Sequence, residues 1–497
     1  MTGKNPGKHG VFDFLPMTGE AHDIPIAVRR RATTVWRALS ESGLRVGTYN
    51  LPATYPPEAL SAFQVSGFDA PGFRPQMAHP ERAFGILREA VGEYDLCPLS
   101  IQAPHGDPKA VQRHAELPVV ATRALLNAFP CDVYMVSFQV LDWVHHGALG
   151  REMRPGDVGS LAPDGSVVQA CQLVDERVGE LLAEWVADDT TVIVISDHGG
   201  TSADRLVNLE KLFLDRGLMA YMPLGADGSP VGEQRARARR ALRLWTSLKN
   251  LAPTVARSLG PLARRLRGRM AGYQSRLAID WSRTRAVPWG EFAQVRLNLA
   301  GRDPRGVVAN EDAEALADEV TDILSSLRDP ESGRPIYESV LRNAQLYQGP
   351  FASAGPDLYA VPRDLRYLSV SARLGAGGLP MLDLQPDPIV CLDPPWGRHA
   401  PVGILFMAGP PIQPGVEIAY AALADFAPTA LYLLGEPVPD DMDGRVVSEA
   451  FRPGILSRRP VQMREPWPEP VRPDAGQSYS AEEQAEIERR LRGLGYL

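Results

Sequence analysis

Two short clusters in this 497-residue chain combine residue types that hold metal ions. One is Asp142-Trp143-Val144-His145-His146; the other is Asp197-His198-Gly199-Gly200. Carboxylate and neutral imidazole are donors that suit zinc or manganese. The paired glycines let the backbone turn tightly beside a ligand. Neither cluster is specific by itself, because a surface Asp and a core His give D-x-x-x-H just as readily. Together they predict a two-metal centre built on Asp142, His146, Asp197 and His198. A third histidine is needed, and His399 in Gly397-Arg398-His399-Ala400-Pro401 is the best placed, just ahead of an apolar run at 402–407. His79, His105 and His114 lie in ordinary polar loops or helices and read as bystanders. His145 reads as a neighbour that supports a ligand or faces substrate.

Such residues need elements to carry them. The run 132–141, DVYMVSFQVL, predicts a buried strand leading straight into Asp142. The run 190–196, TTVIVIS, predicts a central parallel strand leading into Asp197. Helical spacing over 167–187 lies between them, which makes a βαβ unit. In open α/β sheets, sites gather at the carboxyl ends of strands, where both clusters fall. Further helices are predicted at 30–43, 108–129, 207–216 and 310–327. Further strands are predicted at 45–50, 219–223, 294–299, 357–361 and 402–407. Asp425 opens a helix that Gly435 stops. Residues 459–476 are Pro-rich, and Ser480-Ala481-Glu482-Glu483 starts a terminal helix with a capping box. The predicted organisation is an α/β core over 1–200 and 286–458, an inserted cap over 201–285, and a C-terminal segment over 459–497.

Composition narrows the classes. Hydrophobic residues make up 44% and charged residues 23%, which excludes a disordered, collagen-like or coiled-coil chain. No apolar run approaches the ~18 residues of a membrane span. The formal charge of −8 argues against wholesale nucleic-acid binding. That charge is uneven: residues 235–276 hold twelve Lys/Arg and no Asp or Glu, so the remainder carries −20. This basic, helically patterned segment reads as a solvated face, or as a surface for anionic substrates or an acidic membrane. Cys97, Cys131, Cys171 and Cys391 form no C-x-x-C pair and read as reduced thiols. The turn-rich start, Met1 to Gly10, lacks the pattern of a signal or transit peptide, and a cytoplasmic location is expected.

The chain resembles the alkaline phosphatase superfamily, in its type I phosphodiesterase/nucleotide pyrophosphatase branch, and especially the group of predicted phosphohydrolases or phosphomutases. The resemblance rests on TGKNPGKHGVFDF (2–14), NLPATYPPE (50–58), LDWVHHGALG (141–150), VISDHGG (194–200), DWSRTRA (280–286), GRDPRG (301–306), GRHAPVGILFMAGPPI (397–412), DFAPTALYLLGEPVPDDMDGRV (425–446) and LRGLGYL (491–497), in order along the chain. It implies a central, mostly parallel sheet flanked by helices, with the basic cap inserted. It also implies two divalent metal ions, zinc or else manganese. Asp142, His146 and His399 match the ligands of one, and Asp197 and His198 match two ligands of the other. The implied activity is metal-dependent hydrolysis of a phosphorylated small molecule, with a phosphomutase or a non-catalytic metal- or anion-binding protein as alternatives.

Two features depart from the family's pattern. Its Thr or Ser nucleophile precedes the motif that begins here at Thr2, so the resemblance places that residue, and the first metal Asp, upstream of Met1. Phe14 stands where nucleotide pyrophosphatases of this branch usually have an Asn. Without its nucleophile the sheet is also expected to lack its first strand, leaving exposed edges in its middle. Arg283, Arg285 and Arg302 fall in matched motifs and are candidates to bind a substrate phosphate bidentately, against the alternative of structural ion pairs.

Overall fold

A computed structural model describes residues 1–13, 30–102, 106–155, 161, 164–221, 279–290, 292–370, 387–468 and scattered positions over 480–490. Phe14, His105 and the basic segment 235–276 lie outside the described residues, so the readings made of them stay with the sequence.

Four sheets matter for the site. The first has the order β3-β2-β1-β4, from β1 (Val46–Leu51), β2 (Phe63–Ser66), β3 (Ala78–His79) and β4 (Val133–Val136). β1 runs parallel to both β2 and β4. A ribbon pairs β5 (Val192–Ile195) antiparallel with β13 (Leu405–Ala408). A three-stranded sheet, β11-β6-β12, holds β6 (Gly199–Asn208), β11 (Tyr367–Val370) and β12 (Ile389–Ala400). An antiparallel sheet, β7-β8-β10-β9, joins β7 (Ala286–Trp289), β8 (Gln294–Leu297), β9 (Tyr337–Arg342) and β10 (Leu358–Pro362). The helices used below are α1 (Pro6–His9), α2 (Val35–Glu41), α3 (Glu81–Val91), α4 (Pro108–Ala128), α5 (Val140–Glu152), α6 (Ser166–Trp185), α7 (Leu209–Asp215), α8 (Ala313–Ser325) and α9 (Phe426–Leu433). Among the described residues no helix is long and apolar enough to cross a membrane, and all four cysteines are free.

Most elements follow from local pattern. α4, α6, α8 and α9 and strands β1, β8 and β10 lie where periodicity puts them. Gly435 takes φ 82 and ends the turn after α9, a conformation in which its missing Cβ avoids a clash. The Ser480 box forms: Glu483 N–H donates to Ser480 Oγ at 3.2 Å, and Ser480 N–H donates to Glu483 Oε2 at 2.8 Å.

Three expectations are corrected. The run 132–141 is not one strand: β4 stops at Val136, and α5 begins at Val140. The apolar residues past Gln139 recur as Val140, Trp143, Val144 and Ala148 at helical spacing, and all four are buried, as is Leu149 further round the helix. Burying each large member contributes roughly 1.5–3 kcal/mol, which outweighs the strand preference of the short segment before it. The run 190–196 forms β5, but its partner among the described residues is β13, antiparallel, and its residues are half-buried. Finally, two long strands that the pattern hid, β6 and β12, flank the predicted sites. His399 sits inside β12, not ahead of the strand at 402–407, which itself begins later, at Leu405. β6 mixes Gly with charged residues and β12 adds Pro, so neither alternates cleanly; their pairing with each other makes them strands.

β4 pairs only with β1, and β5 only with β13, among the described residues. Val402, Ile404 and Phe406 beside β5 are 79%, 52% and 63% exposed, far more than core strands tolerate.

Candidate metal centre

Three elements meet at the site. Asp142 and His146 lie one turn apart on α5, so they share a face. Asp142 is in the first turn, where the helix dipole favours a carboxylate. His198 immediately precedes β6. His399 lies on β12 directly opposite Gly200 of β6, so the antiparallel register carries it to within two residues of His198 across the ladder. The two rings are 3.9 Å apart between centroids.

Glycines permit α5 to approach this ladder. A Cβ on Gly397 would come within 2.1 Å of the His145 carbonyl oxygen, and one on Gly200 within 2.8 Å of His145 Nδ1. A side chain at Gly397 would push α5, with Asp142 and His146, away from β12, and one at Gly200 would displace the His145 and Leu149 side chains.

The polar atoms converge on Asp142 Oδ1. His399 Nε2 is 3.3 Å from it, His146 Nε2 3.4 Å and His198 Nε2 3.8 Å. His146 Nε2 and His399 Nε2 are 3.0 Å apart. One donor atom each from Asp142, His198 and His399 fits within a 4.8 Å span. His198 Nδ1 lies 3.0 Å from the Gly199 carbonyl oxygen. A carbonyl only accepts, so Nδ1 carries the proton and Nε2 presents a lone pair. Burial works to raise the Asp142 carboxyl, but His146 and His399 beside it more than offset this and hold it well below the usual carboxylate range. Burial lowers His399, partly countered by Asp142. Burial also holds His145 at about 4, so it is neutral at pH 7.

The sequence assigned His198 to a second metal with Asp197. In the structure His198 Nε2 stands between two carboxylates, 3.8 Å from Asp142 Oδ1 and 3.7 Å from Asp197 Oδ1. Asp197 itself is 71% exposed at its side chain and lies outside the tight group of three. Phe292, which sequence reasoning missed, stacks on His399 with centroids 6.2 Å apart and planes 20° apart. No local pattern marks it, since the contact is made across the chain.

The three arginines are placed otherwise. Arg285 makes two bonds to Glu319, at 2.9 and 3.0 Å. Arg302 makes two to Asp357, at 2.6 and 2.9 Å, and a third to Asp303. Their donors are thus committed to carboxylates, the structural alternative weighed above. Arg283 is exposed at the chain turn before β7. Thr2 is buried, and its Oγ accepts from the Lys4 N–H at 3.3 Å, as in a turn cap.

The profile of the type I phosphodiesterase/nucleotide pyrophosphatase family matches residues 1–376. No curated protein sequence matches the chain. Among solved structures, phosphonoacetate hydrolase from Sinorhizobium meliloti 1021, in complex with phosphonoacetate, is similar at 14% identity over 84% of this chain and 78% of that one, with a TM-score of 0.44. Human ectonucleotide pyrophosphatase/phosphodiesterase 5 is similar at 13% identity over 85% and 75%, with a TM-score of 0.39. The match over 376 of 497 residues is what identifies the chain: it belongs to the type I phosphodiesterase/nucleotide pyrophosphatase family.

Proposed function

We propose that the protein is a metal-dependent hydrolase of phosphoesters of small molecules, with Asp142, His146, His198 and His399 as the principal ligands. One observation carries this: ligand atoms of Asp142, His198 and His399 fall within a 4.8 Å span. Three imidazole nitrogens facing one carboxylate oxygen make a donor set that suits zinc, with manganese the next choice. Asp197, exposed and 3.7 Å from His198 Nε2, is the proposed ligand of a second ion, with His198 between the two donor sets.

Bound divalent metal would supply Lewis-acid polarisation of a phosphoryl oxygen and offset the charge that develops as the ester bond breaks. The chain's own residues do the rest. Asp142 stays ionised because His146 and His399 stabilise its charge. The Gly199 carbonyl accepts from His198 Nδ1, which turns Nε2 toward Asp142. Phe292 lies nearly parallel to His399, with ring centroids 6.2 Å apart, and places an apolar ring beside the donor set.

The test is metal analysis and turnover of an aryl phosphodiester by the full chain and by Asp142→Ala. The expected result is zinc or manganese bound by the parent, turnover that follows the metal, and loss of both in the variant. Turnover that survives Asp142→Ala and chelation would overturn the reading.

A further inference from the structure

The turn that follows β1 carries a feature that the metal centre does not use directly. Asn50 has φ 62 and Ala53 has φ 57, two non-glycine residues in the left-handed region within four positions. The β1–β2 register shifts between Tyr49 and Leu51, so Asn50 is the residue thrown out of the ladder. Strained backbone of this kind persists only where surrounding structure enforces it. Here it does: Arg30 donates to the Ala53 carbonyl at 3.2 Å and to Glu58 at 2.6 Å, and Asp69 accepts from the Tyr55 N–H at 3.0 Å.

What the strain places is the Asn50 amide. Its Nδ2 donates to the Ser137 carbonyl at 3.1 Å. Its own carbonyl accepts from Gln139 Nε2 at 3.3 Å. Ser137 N–H in turn donates to the Tyr49 carbonyl at 3.2 Å. Asn50 therefore grips both ends of the three-residue turn between β4 and α5. Gln139 is the N-cap of α5, and its carbonyl accepts the helix bond from Trp143 N–H at 3.4 Å. Asp142 follows three residues later. Gln139 makes no side-chain cap of its own, and among the described residues its Oε1 is buried without a partner, so its amide is spent on Asn50.

We propose that Asn50 is a positioning residue for Asp142: by clasping Ser137 and Gln139 it fixes where α5 starts, and so where its first-turn carboxylate stands against His198 and His399. The residue type follows from the task. Glycine adopts φ 62 freely but has no donor, and aspartate adopts it but only accepts; asparagine combines the backbone with an N–H. The consequence for metal binding rests on the reading of Asp142 as a ligand given above; the consequence for α5 does not.

The test uses Asn50→Gly, which keeps the left-handed backbone and deletes the donor, and Gln139→Glu, which deletes the other. Zinc and manganese affinity is measured by chelator competition on the full chain, with the unfolding midpoint and amide exchange of the metal-free protein. Each variant is expected to bind metal about tenfold or more weakly, in line with groups that orient ligands. Exchange should quicken over the first turn of α5. The double variant should lose no more than the worse single one, since both act through one clasp. Leu87→Ala, in a core away from α5, supplies a destabilised control whose metal affinity should match the parent. Parent-like affinity and parent-like exchange in Asn50→Gly overturn the proposal, as does a loss that Leu87→Ala reproduces. If the parent binds neither metal, the proposed function fails, and exchange at α5 alone decides the clasp.

Discussion

The metal centre and the sheet of β7–β10 both gather polar side chains and treat them in opposite ways. In the sheet, every cation meets an anion. Arg296 bonds Asp303 at 2.8 Å with both side chains 7% exposed, and its other arm reaches the carbonyls of Ala354 and Gly355 at 3.1 and 2.8 Å. Arg302 is matched by Asp357 and Asp303. At the centre, three imidazole nitrogens crowd one carboxylate oxygen and face one another, His146 and His399 at 3.0 Å. Complementary pairs hold a fold together. Ligating atoms that converge on one point mark a candidate binding site.

This contrast can be broken in four ways. The largest effect is expected at Asp142→Ala, which should lower phosphodiester turnover by about a thousandfold or more, several kcal/mol of transition-state stabilisation, while the metal-free protein stays folded by circular dichroism. A folded variant with near-parent activity would erase the distinction. Next comes Arg296→Met, which leaves the buried Asp303 with Arg302 as its remaining arginine and strips the Ala354 and Gly355 carbonyls of a donor; urea unfolding should show a loss of about 3 kcal/mol, with metal affinity kept.

The third effect is one of pH. Burial holds His145 at about 4 against its ordinary 6.5. Between those values the unfolded chain binds more protons than the folded one. Stability of the metal-free protein therefore falls as pH drops from 6.5 toward 4, by up to about 3 kcal/mol from this group. His145→Gln should flatten that slope in urea titrations run across the range; an unchanged slope would show that His145 does not titrate as its burial requires. The smallest effect is expected at Arg285→Gln. The pair with Glu319 is 42% and 41% exposed, so its removal should cost less than about 1 kcal/mol and leave the Michaelis constant unaltered. A large rise in that constant would return Arg285 to the substrate site.

Much of this was legible in sequence. Residue type selected Asp142, His146, Asp197, His198 and His399, because few side chains hold a hard or borderline cation. The i,i+4 spacing of Asp142 and His146 is a helical spacing, although the run before it reads as strand. The boundary was lost because Val133–Val136 and Val140–Leu141 are both apolar, and only the packing of α5 separates them. β6 and β12 escaped notice because neither has a period of its own.

The sequence by itself determined which donors exist, that the chain belongs to the type I phosphodiesterase/nucleotide pyrophosphatase family, and that glycines stand beside them at Gly199, Gly200 and Gly397. Only tertiary structure decided their grouping. The antiparallel register sets His399 opposite Gly200 and so beside His198, and the close approach over Gly397 brings α5 against that pair. Tertiary structure likewise committed Arg285 and Arg302 to carboxylates distant in sequence. The physical reason is the same in each case: a side chain's chemistry is local, but the partner that completes or neutralises it comes from another part of the chain.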